Sequence, residues 1–168
     1  MTTDDELLRL ATLAGADLLD AEKRLVTAES CTGGWVAKLL TDIAGSSGWY
    51  DGGVVVYSNA LKQSLLGVRP STLASHGAVS EATAREMAIG ALETLGGHIS
   101  LAVTGIAGPA GAQPGKPIGT VWFAWAWRES GGVETRVALE TFSGDREAIR
   151  RQSVARALRE LTQLQRKA

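Results

Sequence analysis

The chain has 168 residues, of which 45% are hydrophobic and 21% charged, a composition typical of one soluble globular domain. Its formal net charge of −1 gives no electrostatic basis for binding nucleic acid in bulk. No apolar run approaches the length of a membrane span, and Asp4, Asp5 and Glu6 stand where a signal peptide needs positive charge. We therefore expect a cytoplasmic protein that contacts neither nucleic acid nor membrane. The single cysteine suits a reducing compartment, and no zinc-type Cys/His spacing predicts a metal site.

Helical and β-prone segments alternate in the first half of the chain. The predicted elements are a helix capped by Thr3, a strand at about Arg24 to Ala28, a helix at about Thr32 to Ala44, a strand at Gly52 to Tyr57, a helix at Ala60 to Leu66 and a loop at Pro70 to Gly77. Three consecutive valines in the second strand favour burial on both faces, as in the middle of a sheet.

The second half ends in a predicted hairpin and a long helix. Its elements are a helix capped by Ser80, a strand at Ile99 to Val103, a Gly/Pro-rich loop to Pro117, hairpin strands at Gly119 to Trp127 and Val133 to Phe142, and a helix from Ser143 whose end suits Arg166 and Lys167. This order predicts one domain, residues 1–168, of the α/β class. We expect a three-layer α/β/α fold with a mixed, mostly parallel sheet that has one antiparallel member.

The segment from Ala28 to Gly34, Ala-Glu-Ser-Cys-Thr-Gly-Gly, lies where the first strand ends and the second helix begins. The first turn of a helix offers unpaired N–H groups that stabilise an anion or a developing oxyanion. Gly33 and Gly34 allow a ligand to approach the backbone closely, and Ser30 and Thr32 add hydroxyl groups. The simpler alternative is that Ser30 or Thr32 only caps the helix.

Polar side chains follow each of the first three predicted strands: Ser30, Lys62 and Thr104. Because the carboxyl ends of parallel strands meet at one edge of a sheet, we expect these side chains to share a crevice. A lysine whose pKa is lowered by burial can accept the proton of a serine, and such a pair suits amide or ester hydrolysis through an acyl-enzyme. Thr104 would relay the proton or help to bind the oxyanion, alongside first-turn amides near Cys31 and Thr32. Taken singly, Lys62 fits a solvated helix lysine better than a catalytic base, and the alternative for Thr104 is a hydroxyl that closes a turn.

Cys31 provides a competing nucleophile. A thiol at the start of a helix has a lowered pKa, and His76 is a candidate base for it. The other histidine, His98, begins the third strand, at the opposite end of the sheet. We rank this hypothesis lower because no residue is evident that would orient His76. A small buried thiol is the ordinary alternative.

Arg146 and Arg150 are four residues apart and share one face near the start of the last helix. Two guanidinium groups at this place would form a phosphate clamp. The alternative is a pair of surface arginines that form ion pairs with Asp145 and Glu147.

Taken together, segments along nearly the whole chain resemble the CinA C-terminal domain family, the nicotinamide-nucleotide amidases. They are Thr27 to Gly34, Tyr57-Ser58-Asn59 with Lys62 and Leu66-Gly67-Val68, Gly77 to Ser80, Val103 to Pro109, Lys116 to Val121, and Gly144-Asp145-Arg146 with Arg150.

The resemblance implies a deamidase that converts nicotinamide mononucleotide to nicotinic acid mononucleotide and ammonia, in pyridine nucleotide salvage. It implies a three-layer α/β/α fold, no cofactor or metal, and a homodimer or larger homo-oligomer. The family's serine nucleophile and lysine base correspond to Ser30 and Lys62, and its active-site threonine to Thr104. The residues expected to bind the substrate are Tyr57, Thr32, Gly33, Gly34, Gly105, Arg146 and Arg150.

Three rival hypotheses remain open from the sequence. The first is a binding module on the same fold that holds a nucleotide without turning it over. The second is a structural partner subunit whose crevice is empty. The third keeps the amidase chemistry but acts on a different small amide.

Overall fold

The structure is a computed structural model that describes residues 2–165. Its elements are α1 (Asp4–Asp20), β1 (Leu25–Glu29), α2 (Trp35–Thr41), a 3-10 helix (Ser46–Gly48), β2 (Tyr50–Val55), α3 (Asn59–Leu66), α4 (Pro70–His76), α5 (Glu81–Leu95), β3 (Ile99–Gly105), β4 (Thr120–Glu129), β5 (Gly132–Thr141) and α6 (Arg146–Gln165).

One five-stranded sheet, in the order β2-β1-β3-β4-β5, forms the centre of the fold. The central strand β1 pairs in parallel with β2 on one side and with β3 on the other. The pairs β3–β4 and β4–β5 are antiparallel, so that β4 alone runs against the other four strands. The predicted mixed, mostly parallel sheet with one antiparallel member is confirmed.

Helices cover both faces of this sheet. One apolar core joins α1, α2 and α6 to alternate strand residues that include Leu101 and Phe123. The second core joins α3 and α5 to the residues between them, such as Ala102 and Ala124, and α4 packs on α5. The alternation of strand side chains therefore separates two cores, which confirms the three-layer α/β/α prediction.

The position of β2 differs from the prediction. This strand lies at the edge of the sheet, begins at Tyr50 and ends at Val55 rather than Tyr57. Val54 is only half-buried and Val55 is 44% exposed. A run of valines is compatible with an edge strand as well as with a central one, so the pattern did not distinguish the two positions.

Three helix boundaries also differ. The predicted loop from Pro70 to Gly77 is the helix α4, which Pro70 begins because its missing N–H is not needed in the first turn. Helix α2 begins at Trp35 rather than Thr32, since Gly33 and Gly34 have φ angles of 63° and 93° and form a turn before it. Helix α6 begins at Arg146, three residues after the predicted start. The predicted C-terminal contribution of Arg166 and Lys167 lies outside the described residues.

Helices α3 and α5 are in close contact. A Cβ atom added to Gly90 of α5 would lie 1.9 Å from the carbonyl oxygen of Leu66 in α3. The two helices can therefore approach each other this closely only where α5 carries a glycine.

Within residues 2–165, none of the helices combines the length and the apolar character needed to cross a membrane.

Candidate active site

Ser30 lies immediately beyond the carboxyl end of the central strand β1. Its backbone N–H donates to the carbonyl oxygen of Val103 in β3 at 2.9 Å, while the N–H of Val56 donates to Glu29 at 2.8 Å. These bonds continue the parallel register of the three strands by one residue. Ser30 is thus level with Thr104 on one neighbouring strand and with Val56 at the end of the other.

Lys62 reaches Ser30 from helix α3. Its Nζ lies 3.1 Å from the Ser30 Oγ, 2.8 Å from the Val56 carbonyl oxygen and 3.0 Å from that of Tyr57. The residue is 1% exposed and is the second-largest of the fully buried side chains in the described part of the chain. The alternative of a solvated helix lysine is therefore wrong.

The surroundings of Lys62 favour its neutral form. Burial lowers the pKa of its amino group below the ordinary value of 10.5. Two of its three hydrogen-bond partners are carbonyl oxygens, which can only accept. A neutral amine has two hydrogens for these carbonyls and one lone pair, and the remaining partner is the Ser30 hydroxyl. In that state the Ser30 O–H donates to Nζ, which is the arrangement a general base requires.

Thr104 is buried beside Ser30. Its Oγ1 donates to the carbonyl oxygen of Ala78 at 2.8 Å, in the segment that precedes α5. Its hydroxyl therefore connects two distant segments and does not merely close a local turn. Gly105, the next residue, has a packing role: a Cβ atom there would lie 2.8 Å from the Thr120 carbonyl oxygen. The predicted contact of Gly105 with the substrate is not tested by this packing and stays a prediction.

Glu29 is a residue of this site that the sequence analysis did not assign. Its buried carboxylate accepts hydrogen bonds from the backbone N–H groups of Gly34, Val36 and Ala37, at 3.0, 3.1 and 2.8 Å. The start of α2 is therefore already neutralised by a side chain of the protein itself. A glutamate directly before Ser30, at a strand-to-helix junction, was the available signal.

The amides near Cys31 and Thr32, predicted as oxyanion donors, lie in the turn before α2 and not in the first turn of the helix. The first-turn amides of α2 are not free, and the Gly33 N–H donates to the Ser30 carbonyl oxygen at 3.0 Å. Within the described residues, the backbone N–H groups of Cys31 and Thr32 donate to no backbone carbonyl or side chain of another residue. These two groups, directly after Ser30, are donors that the hydrogen bonds of the described residues leave unpaired.

The competing nucleophile is not supported. The Cys31 thiol is 5% exposed, and burial raises its pKa to about 12, where the sequence analysis expected a lowered value. His76, its candidate base, is exposed at the end of α4. Cys31 belongs to the apolar core around α2, so the ordinary alternative of a small buried thiol is correct.

Arg146 and Arg150 of α6 both reach this region. The Arg146 guanidinium donates to the Gly108 carbonyl oxygen at 2.7 Å and to the Tyr57 hydroxyl at 3.2 Å. Arg150 donates to the carbonyl oxygens of Cys31 and Thr32, at 3.1 and 2.8 Å. In the part of the chain that the structure describes, neither arginine forms an ion pair. Glu147 instead pairs with Arg151 at 3.1 Å, so the alternative of two surface ion pairs is wrong.

Tyr57 and Arg146 form the exposed margin of the site. Tyr57 is 61% exposed, and the Gly108 carbonyl that Arg146 binds belongs to the long loop after β3. The same loop is attached to α4 through Lys116, whose Nζ donates to the His76 carbonyl oxygen at 2.6 Å. A phosphate or another anion at this margin would meet the Arg146 guanidinium first.

Thr32 is fully buried, and its hydroxyl has no hydrogen-bond partner among the described residues. An unpaired buried hydroxyl costs about 1–3 kcal/mol, so a retained one suggests a ligand contact. We expect Thr32→Val to leave the free energy of unfolding unchanged or higher, and to lower kcat/KM for the substrate. Chemical denaturation and steady-state kinetics would measure the two effects.

Thr32→Ser is the matched control, because it keeps the hydroxyl and removes only the methyl group. It should retain most activity despite a small loss of stability. A Thr32→Val protein with normal kcat/KM would show that the hydroxyl does not contact the substrate.

Two clefts lie away from these residues. One, of about 740 Å³, lies between the starts of α1 and α6, and another, of about 580 Å³, adjoins the end of α3. Neither is lined by Ser30, Lys62 or Thr104, and the buried Ser–Lys contact is a better guide to chemistry than cleft volume. Residues 2–165 contain no group of three His, Cys, Asp or Glu side chains that could hold a metal ion.

Comparison with known proteins gives a consistent result. A family model described as the CinA C-terminal domain matches residues 8–165. A nicotinamide-nucleotide amidohydrolase PncC from Escherichia coli strain K12 is 52% identical over 161 residues, 96% of each chain. A protein of the same name from Pseudomonas putida is 45% identical over 162 residues, 95% of this chain and 98% of that one.

Solved structures agree with the fold. A competence-damaged protein (CinA) superfamily protein from Klebsiella pneumoniae superposes with a TM-score of 0.90 at 42% identity, covering 96% of this chain and 99% of that one. A competence/damage inducible protein from Agrobacterium tumefaciens gives a TM-score of 0.87 at 41% identity, covering 95% of each.

Proposed function

This chain belongs to the CinA C-terminal domain family, and from that premise we propose that it is a nicotinamide-nucleotide amidase acting as a single domain. It converts nicotinamide mononucleotide and water to nicotinic acid mononucleotide and ammonia. The relatives that carry the name nicotinamide-nucleotide amidohydrolase support this substrate. The observation that carries the mechanism is the buried contact of 3.1 Å between the Lys62 Nζ and the Ser30 Oγ.

In the first half of the reaction, neutral Lys62 accepts the proton of Ser30. The Ser30 Oγ attacks the carboxamide carbon and forms a C–O bond. The negative charge that develops on the carbonyl oxygen is stabilised by the N–H groups of Cys31 and Thr32, and Thr104 assists by turning its hydroxyl from the Ala78 carbonyl oxygen to the oxyanion. The C–N bond then breaks, and the leaving nitrogen takes the proton from Lys62 and departs as ammonia.

In the second half, water hydrolyses the acyl-enzyme. Lys62 accepts a proton from the water, whose oxygen attacks the acyl carbon. The bond to the Ser30 Oγ breaks, and Ser30 recovers the proton that Lys62 holds. The products are the carboxylate and the free enzyme, and no cofactor or metal takes part in any step.

The rest of the substrate is held at the margin of the site. Arg146 or Arg150 binds the phosphate, and the exposure of the Arg146 guanidinium beside Tyr57 favours Arg146. Gly33 is exposed next to Ser30 and allows the substrate to approach the turn without steric conflict. We also propose the cytoplasm as the location, pyridine nucleotide salvage as the pathway, and a homodimer or larger homo-oligomer as the assembly.

The test is incubation of the purified protein with nicotinamide mononucleotide, with ammonia and nicotinic acid mononucleotide measured together. We expect equal amounts of the two products. Nucleotide binding without product would support the binding-module hypothesis. Neither binding nor product, combined with turnover of another small amide, would keep the chemistry and change the substrate.

A further inference from the structure

Arg150 contacts the turn after Ser30 from the side of the sheet opposite to Lys62. Arg150 lies on α6, which packs with α1 and α2 on one face, while Lys62 lies on α3, which packs with α5 on the other. The Cys31 and Thr32 carbonyl oxygens that Arg150 binds therefore point toward the α6 face.

These contacts fix the orientation of one peptide group. In a trans peptide the carbonyl and the N–H of the same unit point in opposite directions. The Cys31 carbonyl and the Thr32 N–H belong to one unit, so the bond from the Arg150 Nε to the Cys31 oxygen aims the Thr32 N–H away from α6. That direction is the face on which Lys62 meets Ser30.

The preceding peptide is held in a different way. The Ser30 carbonyl accepts the Gly33 N–H at 3.0 Å, which closes a four-residue turn and orients the Cys31 N–H. The middle peptide of such a turn has no partner within the turn itself. Arg150 is therefore the group that holds this middle peptide.

Trp35 restricts Arg150 in turn. The Arg150 guanidinium carbon lies 5.4 Å from the centre of the Trp35 ring, and that of Arg151 lies 5.0 Å from it. Cation–π contacts of this kind favour one position of the side chain. Arg151 also stacks on Trp35 but pairs with Asp4 and Glu147, and among the described residues no hydrogen bond or ion pair connects it to the turn.

We propose that Arg150 is a positioning residue that orients the Thr32 N–H as an oxyanion donor, and that it does not hold the phosphate. The inference rests on the proposed amidase function. It assigns different roles to Arg146 and Arg150: Arg146 recognises the phosphate, and Arg150 acts on the reacting centre through the Cys31–Thr32 peptide.

The experiment compares two substrates, nicotinamide mononucleotide and the nucleoside that lacks the phosphate, nicotinamide riboside. Loss of an oxyanion donor lowers kcat by about 10²–10³-fold, and loss of its orientation should approach the lower figure. We expect Arg150→Gln to lower kcat about 100-fold for nicotinamide mononucleotide with little change in KM, and to lower turnover of the riboside by a similar factor. Arg150→Lys offers a single ammonium in place of the two-pronged guanidinium, so its kcat should lie between those of the wild type and Arg150→Gln.

Two matched variants separate the alternatives. Arg146→Gln should raise KM for the mononucleotide and leave turnover of the riboside unchanged. Arg151→Gln removes a guanidinium from the same Trp35 ring and should leave kcat and KM unchanged. An Arg150→Gln enzyme whose KM rises for the mononucleotide alone, with normal kcat, would overturn the proposal and make Arg150 a phosphate ligand.

A readout without substrate separates this inference from the proposed function. The Thr32 amide resonance in ¹H–¹⁵N NMR spectra reports the hydrogen bond to the preceding Cys31 carbonyl. It should shift or broaden in Arg150→Gln and remain in place in Arg151→Gln. If the wild type cleaves neither substrate, the amidase proposal fails, and an unchanged Thr32 resonance in Arg150→Gln would independently refute the positioning role.

Discussion

Replacing Ser30 by alanine should lower the rate of ammonia release from nicotinamide mononucleotide by at least about 10³-fold, because the attacking oxygen is removed. The protein should remain folded, since Ser30 sits in a turn whose backbone hydrogen bonds do not involve its side chain. The measurement is kcat under saturating substrate, with thermal unfolding recorded on the same preparation.

Two controls make this result specific. Ser64→Ala, at an exposed position of α3, should retain full activity. Cys31→Ala should also retain most activity, because burial raises the pKa of the thiol to about 12 and keeps it protonated. Near-normal turnover by Ser30→Ala, together with its loss in Cys31→Ala, would transfer the nucleophile to the thiol.

Lys62→Met should reduce kcat by a similar factor, since methionine approximates the length of lysine but offers no base. The double variant Ser30→Ala/Lys62→Met should be scarcely slower than either single variant, because the two residues act as one unit. Losses that multiply in the double variant would show that Lys62 and Ser30 act independently. Lys62→Arg keeps the charge but cannot act as a base, and its inactivity would separate proton transfer from simple charge.

The same lysine predicts a pH dependence of stability. Burial lowers the pKa of Lys62 in the folded protein below the 10.5 of the unfolded chain. Between these two values the unfolded chain binds more protons, so the contribution of this residue to the free energy of unfolding increases as pH rises through that window. Lys62→Met should lack this increase, which denaturant unfolding at several pH values would measure.

The positions of the main elements follow from local patterns. Apolar residues at helical spacing, with Thr3 and Ser80 as caps, predicted α1 and α5, and each cap accepts a hydrogen bond in the structure. The hairpin of β4 and β5 was predicted from its central glycines. The pattern could not show that β2 lies at an edge, because strand order depends on how β1 and β3 pair, which is a non-local choice.

The sequence predicted residues of the candidate site, but it did not predict most of their hydrogen-bond partners. Strand-end topology predicted that Ser30, Lys62 and Thr104 share a crevice. In the structure Lys62 contacts Ser30 and Thr104 lies level with Ser30 on β3, while their joint catalytic role stays a prediction. The role of Arg150 at the turn was missed because it depends on a contact across the sequence: Arg150 reaches Cys31 over 119 positions. The partners of Glu29 are local, and its role was missed because the helix was predicted to begin at Thr32 and not at Trp35. The proposed chemistry needs these contacts, since they decide which backbone N–H groups remain available.

The most direct test of a neutral Lys62 acting on Ser30 is the pH dependence of kcat/KM, with the Lys62 ε-amino group titrated by NMR in the same buffer. We predict that kcat/KM rises with unit slope through an apparent pKa below 10.5, and that Lys62 titrates at the same pH. A Lys62 that titrates at or above the ordinary value of 10.5, or a kcat/KM that does not follow its titration, would contradict the account.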